Sequence, residues 1–443
     1  MAGRPMPNMM VPGTYIWESV PHLYEVTAVP TAVAAFLGKS KEVASGKTIA
    51  WWSDSFTGFH RWLATQVPAA EANAVAAKLA RDGDTDIAHN IEQHFAGSGD
   101  QHPLTEDAIE ELRAGIGIGK LKTNTMLFHS VYAFFANGGH RCLTILTSES
   151  EAGYENAIAA LTEHGDVTIV AAPEHGHDPV LAQQLTEHCA DMGNRMAILQ
   201  LPGEATEKTA VAPNVKPAEY AAAYFPWIHM PMPGGAPDPV TGRVPTVRIP
   251  PCGHVAGAWS ASDREKGVFY APANVPLAAV ASFTAPLSEA QQSDLLIRTK
   301  GRVNCLRSIP GLGPMVWGAR TLDPDVNRRY VNVRRLMNFL EASIKASTRW
   351  AVFQPVDQHL WGALRGQVGS FLHDQWLSGA LRGDVASDAF RVVCDASNNP
   401  AGSIAAGKVI VDIAVAPVRP AEFILFRITQ TAGPVSELVH PGA

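Results

Sequence analysis

Two short segments carry side chains that could hold a metal ion or a phosphate group. Residues 174–178 read EHGHD, and imidazole and carboxylate groups are common zinc ligands. A His-x-His pair in a loop after a strand is more typical of a solvated turn, which is how we interpret this segment. Residues 115–120 read GIGIGK, but a phosphate-binding P-loop would need glycine at Ala114 and Ser or Thr at Leu121. We therefore expect neither a bound metal nor a bound nucleotide.

Two further groups could supply nucleophilic or acid–base chemistry. Cys252 lies two positions before His254, and a thiol and an imidazole can act together as nucleophile and base. Residues so close in sequence rarely reach the required geometry. Asp263 and Glu265 flank Arg264, and we interpret this group as a charged turn with a local ion pair instead of a pair of catalytic carboxylates. The sequence thus predicts no catalytic residue and no cofactor.

The composition indicates an ordinary folded protein of two or three domains. The chain has 443 residues, of which 46% are hydrophobic and 17% are charged, and a domain usually contains roughly 100–200 residues. Its formal charge of -7 and its pI near 6.1 give no basic field that could attract a nucleic-acid backbone. We therefore expect no nucleic-acid partner.

The cysteines and the apolar runs indicate where the protein is made. The cysteines form no C-x-x-C pair, and we interpret all five as buried thiols, namely Cys142, Cys189, Cys252, Cys305 and Cys394. No stretch approaches the ~20 apolar residues that span a bilayer, and residues 1–7 lack the apolar core of a signal peptide. The sequence predicts assembly in a reducing cytoplasm, without membrane insertion.

Alternating helical and strand patterns predict an α/β layer in the first half of the chain. A helix with Leu127, Val131 and Phe134 on one face ends at a pair of glycines, which favour the backbone of a helix C-terminus. The elements predicted after it are strands at 142–146, 167–171 and 196–199 and helices at 152–161 and 180–189.

The second half is predicted to contain two amphipathic helices and two closing strands. The first helix has an apolar stripe made of Val333, Leu336, Met337, Leu340 and Ile344. Its basic residues Arg334, Arg335 and Lys345 are predicted to face outward. The second helix is predicted to begin at the cap residue Asp357 and to end at Gly379. The two strands are predicted at 409–415 and 423–428. The strand at 423–428 is apolar on nearly both faces, so other elements must pack on both of its faces.

These patterns divide the chain into three parts. Residues 1–30 form an extended arm with a short strand-forming run, and residues 31–215 form the α/β domain. That domain carries a helical elaboration at about 55–120. Residues 216–443 form a second domain, which ends in a terminal strand and a short tail.

Several motifs follow one another in a fixed order along the chain. AAAYFPWI at 221–228 is close to the pattern AAxYyPWI, and IPPCGHVAG at 249–257 is close to PPSGHVAG, with cysteine at the usual serine. The further motifs of the series are DREKGV (263–268), APAN (271–274), NCLR (304–307), VWGARTL (316–322), YVNVRRL (330–336) and APVRPAEF (416–423). Together they resemble the shared C-terminal domain of contractile tail sheath proteins, over the span from Tyr224 to Ile428.

The front of the chain carries two more motifs of this series. VPGTYIWE at 11–18 resembles the family's PGVYIEE arm, and FFANGGHRC at 134–142 resembles its FFxNGGxRCY segment. The family's FEPND stands here as FQPVD at 353–357, with two positions changed. Only about 40–120 has no counterpart in the series.

The resemblance implies a two-domain α/β sheath subunit whose two ends pair with neighbouring copies. In the family the N-terminal arm and the C-terminal strand each join the sheet of a neighbour, so that otherwise unpaired backbone groups find partners. The corresponding inter-subunit strand residues of this chain are Tyr15, Ile16, Trp17, Phe423, Ile424, Leu425, Phe426 and Ile428.

The resemblance also implies a function and a set of partners. Subunits would stack as six-fold rings around an inner tube and contract to drive that tube through a target envelope. The partners would be further copies of the chain, the inner tube protein, baseplate proteins and a terminator or cap protein. The particle would be a phage tail or a phage-tail-like particle, assembled in a bacterial cytoplasm. We further expect Arg334, Arg335 or Lys345 to contact an acidic inner tube.

Two alternatives remain at this point. Within the structural class, the chain could be a baseplate-proximal or minor sheath paralogue that caps the lattice. From another class, it could be a cytosolic α/β enzyme of unknown reaction, which would show a pocket with convergent titratable groups.

Overall fold

The computed structural model describes residues 32–40, 45–65, 69–96, 104–115, 125–148, 150, 152–233, 237–239, 241–297 and 302–421. The strands in these ranges are β1 (Val33–Ser40), β2 (Thr48–Ser53), β3 (Arg141–Ser148), β4 (Ile169–Ala171), β5 (Met196–Gln200), β6 (Ala221–Phe225), β7 (Ile228–Pro231), β8 (Thr246–Ile249), β9 (Val275–Pro276), β10 (Ser282–Phe283), β11 (Val303–Ile309), β12 (Gly313–Trp317), β13 (Phe390–Val393) and β14 (Asp412–Val415). The helices are α1 (Phe56–Ala64), α2 (Ala69–Asp82), α3 (Thr85–Ala96), α4 (Glu106–Gly115), α5 (Thr125–Ala136), α6 (Gly153–Thr162), α7 (Pro179–Met192), α8 (Cys252–Lys266), α9 (Glu289–Ile297), α10 (Val331–Ser347), α11 (Gln358–Leu377), α12 (Ala386–Ala389) and α13 (Ala401–Ala405).

A nine-stranded sheet with the order β2-β3-β1-β4-β5-β6-β11-β12-β9 forms the centre of the molecule. The strands from β3 to β11 in this order are parallel to their neighbours, while β2, β12 and β9 pair antiparallel at the two ends. Parallel strands covered on both faces are apolar at nearly every position. In β1, accordingly, Ala34 and Phe36 enter one apolar cluster, and Ala35 and Leu37 enter the cluster on the opposite face.

The mixed α/β architecture predicted from the alternating pattern is confirmed, with small shifts at element ends. The five strands and helices predicted between residues 142 and 199 appear as β3, α6, β4, α7 and β5. The predicted helix before them is α5, and Gly138 follows its end with a φ of 89°, a backbone conformation that suits glycine. The helical elaboration appears as α1 to α4.

The predicted strand at 409–415 is shorter than expected, because β14 begins only at Asp412. Just before β14, the backbone N–H and carbonyl groups of Ile410 form hydrogen bonds with side chains. Its N–H donates to Asn399 Oδ1 at 2.7 Å, and its carbonyl accepts from the side-chain amides of Asn398 and Asn399 at 3.2 and 2.9 Å. Asparagine side chains compete with a strand partner for backbone groups in this way.

The central sheet continues across the domain boundary that the sequence places near residue 215. Residue 215 lies between β5 and β6, and these two strands pair in parallel from Ala197 with Ala221 to Gln200 with Tyr224. The division into a first and a second domain at that point stays a prediction, and the two parts share one sheet.

Helices α5 and α8 pack backbone to backbone, because two glycines four residues apart line α8. A Cβ added at Gly253 would lie 2.7 Å from Ser130 Cα, and one added at Gly257 would lie 2.7 Å from Asn137 Cβ. Real Cβ atoms do not approach so closely, so any larger residue would push the helices apart.

We expect Gly253→Ala to destabilise the protein by about 1–3 kcal/mol, the usual cost of overpacking a tight core. The measurement is the free energy of unfolding in urea. Gly362→Ala on α11 is the matched control, because a Cβ there meets nothing within 4 Å. In the control, the better helix propensity of alanine should stabilise by about 0.5–1 kcal/mol. Equal effects of the two substitutions would contradict this packing.

Candidate functional site

The EHGHD segment forms a turn that starts a helix, which confirms its interpretation as a turn. Asp178 caps α7, with its Oδ1 accepting from the N–H groups of Val180 at 2.9 Å and Leu181 at 3.0 Å. His175 Nδ1 lies 3.1 Å from the hydroxyl oxygen of Tyr154. Over the part of the chain that the structure describes, no group of three or more His, Cys, Asp or Glu side chains is arranged to hold a metal ion.

Cys252 and His254 do not act on each other, because each has a separate buried partner. Cys252 Sγ lies 4.0 Å from Ser130 Oγ, and burial raises the pKa of the thiol to about 12. His254 Nε2 lies 3.3 Å from the carbonyl oxygen of Ala279, and burial lowers the pKa of the imidazole to about 4. A protonated thiol and a neutral imidazole do not form the ion pair of an activated cysteine.

The buried His254 should make the protein less stable in mild acid. The unfolded chain takes up a proton near the ordinary histidine pKa of about 6.5, but the folded chain takes it up only near 4. The unfolded state therefore binds more protons between these values, and the free energy of unfolding should fall by about 1.4 kcal/mol per pH unit as the pH drops from about 6.5 to 4.

Urea unfolding at pH 7 and pH 5 measures this effect in the native protein and in His254→Gln, which keeps an N–H donor but takes no proton. The variant should lose part of the pH dependence. Part of the pH dependence of stability should remain in the variant, because burial also lowers the pKa of His188 to about 4. His140→Gln is the control at an exposed position, and a His254→Gln protein with the native pH dependence would refute the account.

The charged group at 263–265 is neither a turn nor a local ion pair, so that interpretation is wrong. Asp263 lies inside α8, is 1% exposed, and pairs with Arg335 of α10 across 72 residues of sequence. Arg335 Nη1 donates to Asp263 Oδ1 at 2.8 Å, and Arg335 Nη2 donates to Asp263 Oδ2. The guanidinium also lies 4.9 Å above the ring of Trp259. Burial raises the pKa of the Asp263 carboxyl, and the guanidinium opposes that rise.

The prediction that Arg334 and Arg335 face outward is also wrong, because α10 is covered on two sides. The Arg335 side chain is 5% exposed and that of Arg334 is 13% exposed. Arg334 Nη1 lies 3.2 Å from Glu219 Oε1, and Arg334 Nη2 lies 3.1 Å from Glu341 Oε1. Lys345 is exposed, so it is the basic residue of the three that is available to a partner.

The sequence did not predict which residues pair with the arginines of α10. Glu219 precedes Arg334 by 115 residues, and no local pattern links such positions. Two asparagines accompany the arginines on α10. Asn338, one turn after Arg334, donates its Nδ2 to the carbonyl of Arg195 at 3.2 Å, and Asn332, one turn before Arg335, donates its Nδ2 to the carbonyl of Phe269 at 2.8 Å. One sequence feature could have indicated that the polar side of α10 is covered, namely the asparagines that stand beside the arginines on this helix.

The C-terminal elements form a small layer with two open sheet edges. Helices α10 and α11 enclose a third apolar cluster, against which β13 and β14 pack. The two strands pair antiparallel, from Phe390 with Val415 to Val393 with Asp412. Among the described strands they pair only with each other, so within the described residues each has one edge without a strand partner, which is the feature that accepts an added strand.

A groove of about 340 Å³ lies between α10, α11 and β14, and we call it the α10 groove. It is lined by Met337, Leu340, Glu341, Ile344, Lys345, Leu372, Ile413 and Val415. Six of these side chains are apolar, and the two charged ones have opposite sign. The groove is thus an apolar depression beside an open sheet edge.

The loop that follows α10 places an aromatic side chain in solvent. Phe353 is 101% exposed, and the neighbouring Val352 is 60% exposed. Phe353 also has a φ of 68°, which is uncommon for a bulky residue. Four residues later, Asp357 caps α11 as predicted, with its Oδ1 accepting from the N–H of Leu360 at 2.9 Å. We call Val352 and Phe353 the apolar knob.

The strand residues assigned to inter-subunit pairing lie outside the described residues. They are Tyr15, Ile16, Trp17, Phe423, Ile424, Leu425, Phe426 and Ile428. Across the ranges that are described, no helix has the length and apolar character needed to cross a bilayer.

Two family models match adjacent parts of the chain. The phage tail sheath protein central domain matches residues 149–322, and the phage tail sheath C-terminal domain matches residues 323–431. The two models meet well after the boundary that the sequence places near residue 215.

Curated relatives show the same likeness over part of their length. A putative prophage major tail sheath protein of Pseudomonas aeruginosa (strain UCBPP-PA14) is 26% identical over 189 residues, which are 42% of this chain and 46% of that protein. The tail sheath protein of Vibrio phage KVP40 is 25% identical over 188 residues, which are 42% of this chain and 27% of that protein. In each case the match spans less than half of the relative.

Solved structures are similar over more of the chain. The helical sheath of the anti-feeding prophage in its contracted state has a TM-score of 0.62 at 25% identity and covers 95% of this chain and 99% of that one. The sheath complex of the extracellular contractile injection system PVC, also contracted, has a TM-score of 0.63 at 24% identity, covers 91% and 92%, and shows the likeness in fold alone. A chain of the anti-feeding prophage baseplate has a TM-score of 0.59 at 27% identity and covers 70% and 82%.

Proposed function

Because the chain belongs to the phage tail sheath family, we propose that it is the polymerising subunit of the sheath of a contractile injection system. The observation that carries this proposal is the likeness to the contracted anti-feeding prophage sheath along almost the whole of both chains. A sheath subunit has a structural role, and we propose no enzymatic activity.

Subunits stack in six-fold rings around an inner tube and are joined by exchanged strands. The open edges of β13 and β14 are where a neighbour's strands add, one from residues 11–20 and one from residues 423–428. Each backbone hydrogen bond contributes a net ~0.5–1.5 kcal/mol, so one added strand holds only modestly. A lattice of many such strands can therefore rearrange during contraction while its subunits stay connected.

The partners are further copies of the chain, the inner tube protein, baseplate proteins and a terminator or cap protein. The sheath is part of a phage tail or a phage-tail-like particle, assembled in the bacterial cytoplasm without nucleic acid or membrane insertion. A baseplate-proximal paralogue is the second candidate, and the likeness to a chain of the anti-feeding prophage baseplate favours it. Sedimentation of the purified full chain separates the two, since a polymerising subunit pellets as large assemblies and a capping paralogue stays in small oligomers.

Of the three basic residues expected to contact the inner tube, we now propose only Lys345, since Arg334 and Arg335 are paired with carboxylates of their own chain. Lys345→Glu should weaken copurification of the sheath with its inner tube protein by a few-fold, on the order of 1 kcal/mol for one exposed ion pair. Lys408→Glu is the control, because Lys408 is also exposed but is not part of α10. Unchanged copurification of the Lys345 variant would remove this residue from the contact.

A further inference from the structure

The Phe353 side chain of the apolar knob packs against none of the residues that the structure describes. Phe353 is fully exposed, so it neither fills the α10 groove of its own chain nor packs in the core. Its left-handed backbone carries a conformational penalty, and strained residues of this kind cluster at sites of function. An aromatic side chain held in solvent at such a position is typical of an interface anchor.

The same chain carries a depression that matches the knob in character. The α10 groove is mostly apolar, and its volume of about 340 Å³ is large enough for a small organic group. Ile413 in its wall is 37% exposed, although it is a large aliphatic residue. An apolar depression that the described residues leave uncovered is a surface on which an apolar group of another molecule can bind.

The charges near the two features are complementary as well. Exposed Arg349 and Asp357 lie on either side of the knob in sequence, and Glu341 and Lys345 line the groove. Glu341 is already paired with Arg334 of its own helix, so the charge pair available to a docked knob is Asp357 of the knob's loop with Lys345 of the groove. Complementary charges of this kind set orientation more than affinity.

We propose that the Val352–Phe353 knob of one copy docks in the α10 groove of a second copy. Because the knob and the groove are different surfaces of the same chain, the contact is heterologous, and each copy can accept one neighbour and be accepted by another. Heterologous contacts that do not close into a ring generate open helical arrays. This inference rests on the proposed sheath function and names a contact in addition to strand exchange.

The first test is Phe353→Gly. Glycine takes the left-handed backbone without penalty, so the urea midpoint of the isolated chain should be unchanged or higher. Loss of an anchoring aromatic should nevertheless raise the protein concentration needed for assembly about tenfold or more. Leu377→Ser is the control, since Leu377 is 66% exposed on α11 but lies outside the knob and the groove. Native assembly by the Phe353→Gly protein would overturn the inference.

The second test identifies what fills the groove. Val352→Cys chains, which keep the Phe353 anchor and carry the cysteine at an exposed position, are mixed with Ile413→Cys chains of a different length. A short bismaleimide is then added to pelleted assemblies and to concentrated soluble protein. The five native cysteines are buried and should react little. The inference predicts a crosslinked product of both lengths in either fraction, and its absence from both would overturn the inference.

Two further outcomes separate this inference from the function on which it rests. A crosslink between Ile413→Cys and Leu425→Cys in place of the Val352→Cys product would show that the chain's terminal apolar segment fills the groove, which overturns the inference. Tubes that form from the Val352→Cys and Ile413→Cys chains without a crosslink between them leave the sheath function standing and refute the docking. Crosslinked small oligomers without tubes support the docking and refute the sheath function.

Discussion

Deletion of residues 1–20 should leave a soluble, folded monomer that no longer forms tubes. The removed segment contains the arm motif VPGTYIWE at 11–18, whereas the apolar clusters of the described chain begin at Ala32. The apolar clusters of the described residues therefore keep all their members, but the free edges of β13 and β14 lose one of the strands proposed to pair with them. Without that strand a subunit lacks a link to its neighbour, and the lattice does not propagate.

Circular dichroism and urea unfolding check that the truncated chain is folded, and sedimentation measures its assembly. Deletion of residues 1–10 alone is the matched control, because it shortens the same terminus and keeps the arm motif. The control should assemble normally. Tubes of normal length from the longer deletion would contradict strand exchange through the arm.

The second large effect is expected from breaking the buried ion pair between α8 and α10. Arg335→Met leaves the Asp263 carboxylate without its partner at a site that is 1% exposed, and an unpaired buried charge of this kind costs about 3–5 kcal/mol. The double variant Asp263→Leu with Arg335→Met removes both charges. It should recover most of the loss, because an apolar pair of similar volume is often as stable as a buried ion pair.

Urea unfolding of the single and double variants measures these differences as a double-mutant cycle. Arg391→Met is the control, since Arg391 is exposed on β13 and surface substitutions usually change stability by less than about 0.5 kcal/mol. A double variant as unstable as Arg335→Met would show that the two charges do not depend on each other, contrary to the structure.

The strands β3, β4 and β5 of the central sheet could be predicted from sequence because their signal is local. They are apolar at consecutive positions and alternate with the helices α6 and α7, and this alternation indicates parallel strands between helical layers. The sequence also predicted that the cysteines are buried thiols, and all five are free and buried. The strand at 409–415 was predicted too long because the competing amides of Asn398 and Asn399 are a tertiary feature.

The candidate site was predicted only in part, because its chemistry depends on long-range contacts. The apolar stripe of α10 was read correctly, with Leu336 and Leu340 buried. A helical pattern distinguishes an apolar from a polar face, but it does not reveal that a second element covers the polar face. Arg335 was therefore predicted to be outward, although Asp263 holds it in the interior.

The motif FQPVD also shows that local sequence predicts a hydrogen bond within one segment better than it predicts the burial of a side chain. Its aspartate was predicted to cap a helix from local pattern, and the cap hydrogen bond at Leu360 is present. Its phenylalanine resembles a core residue by type, yet it is fully exposed. Apolar character alone does not show whether a side chain packs in its own chain or on another molecule.

Negative-stain electron microscopy of the full chain, expressed alone and purified, tests the central claim most directly. A polymerising sheath subunit should form hollow tubes with regular cross-striations, because every copy carries both halves of each contact that links it to its neighbours. Discrete small oligomers at the same protein concentration, with no tubes, would contradict the claim.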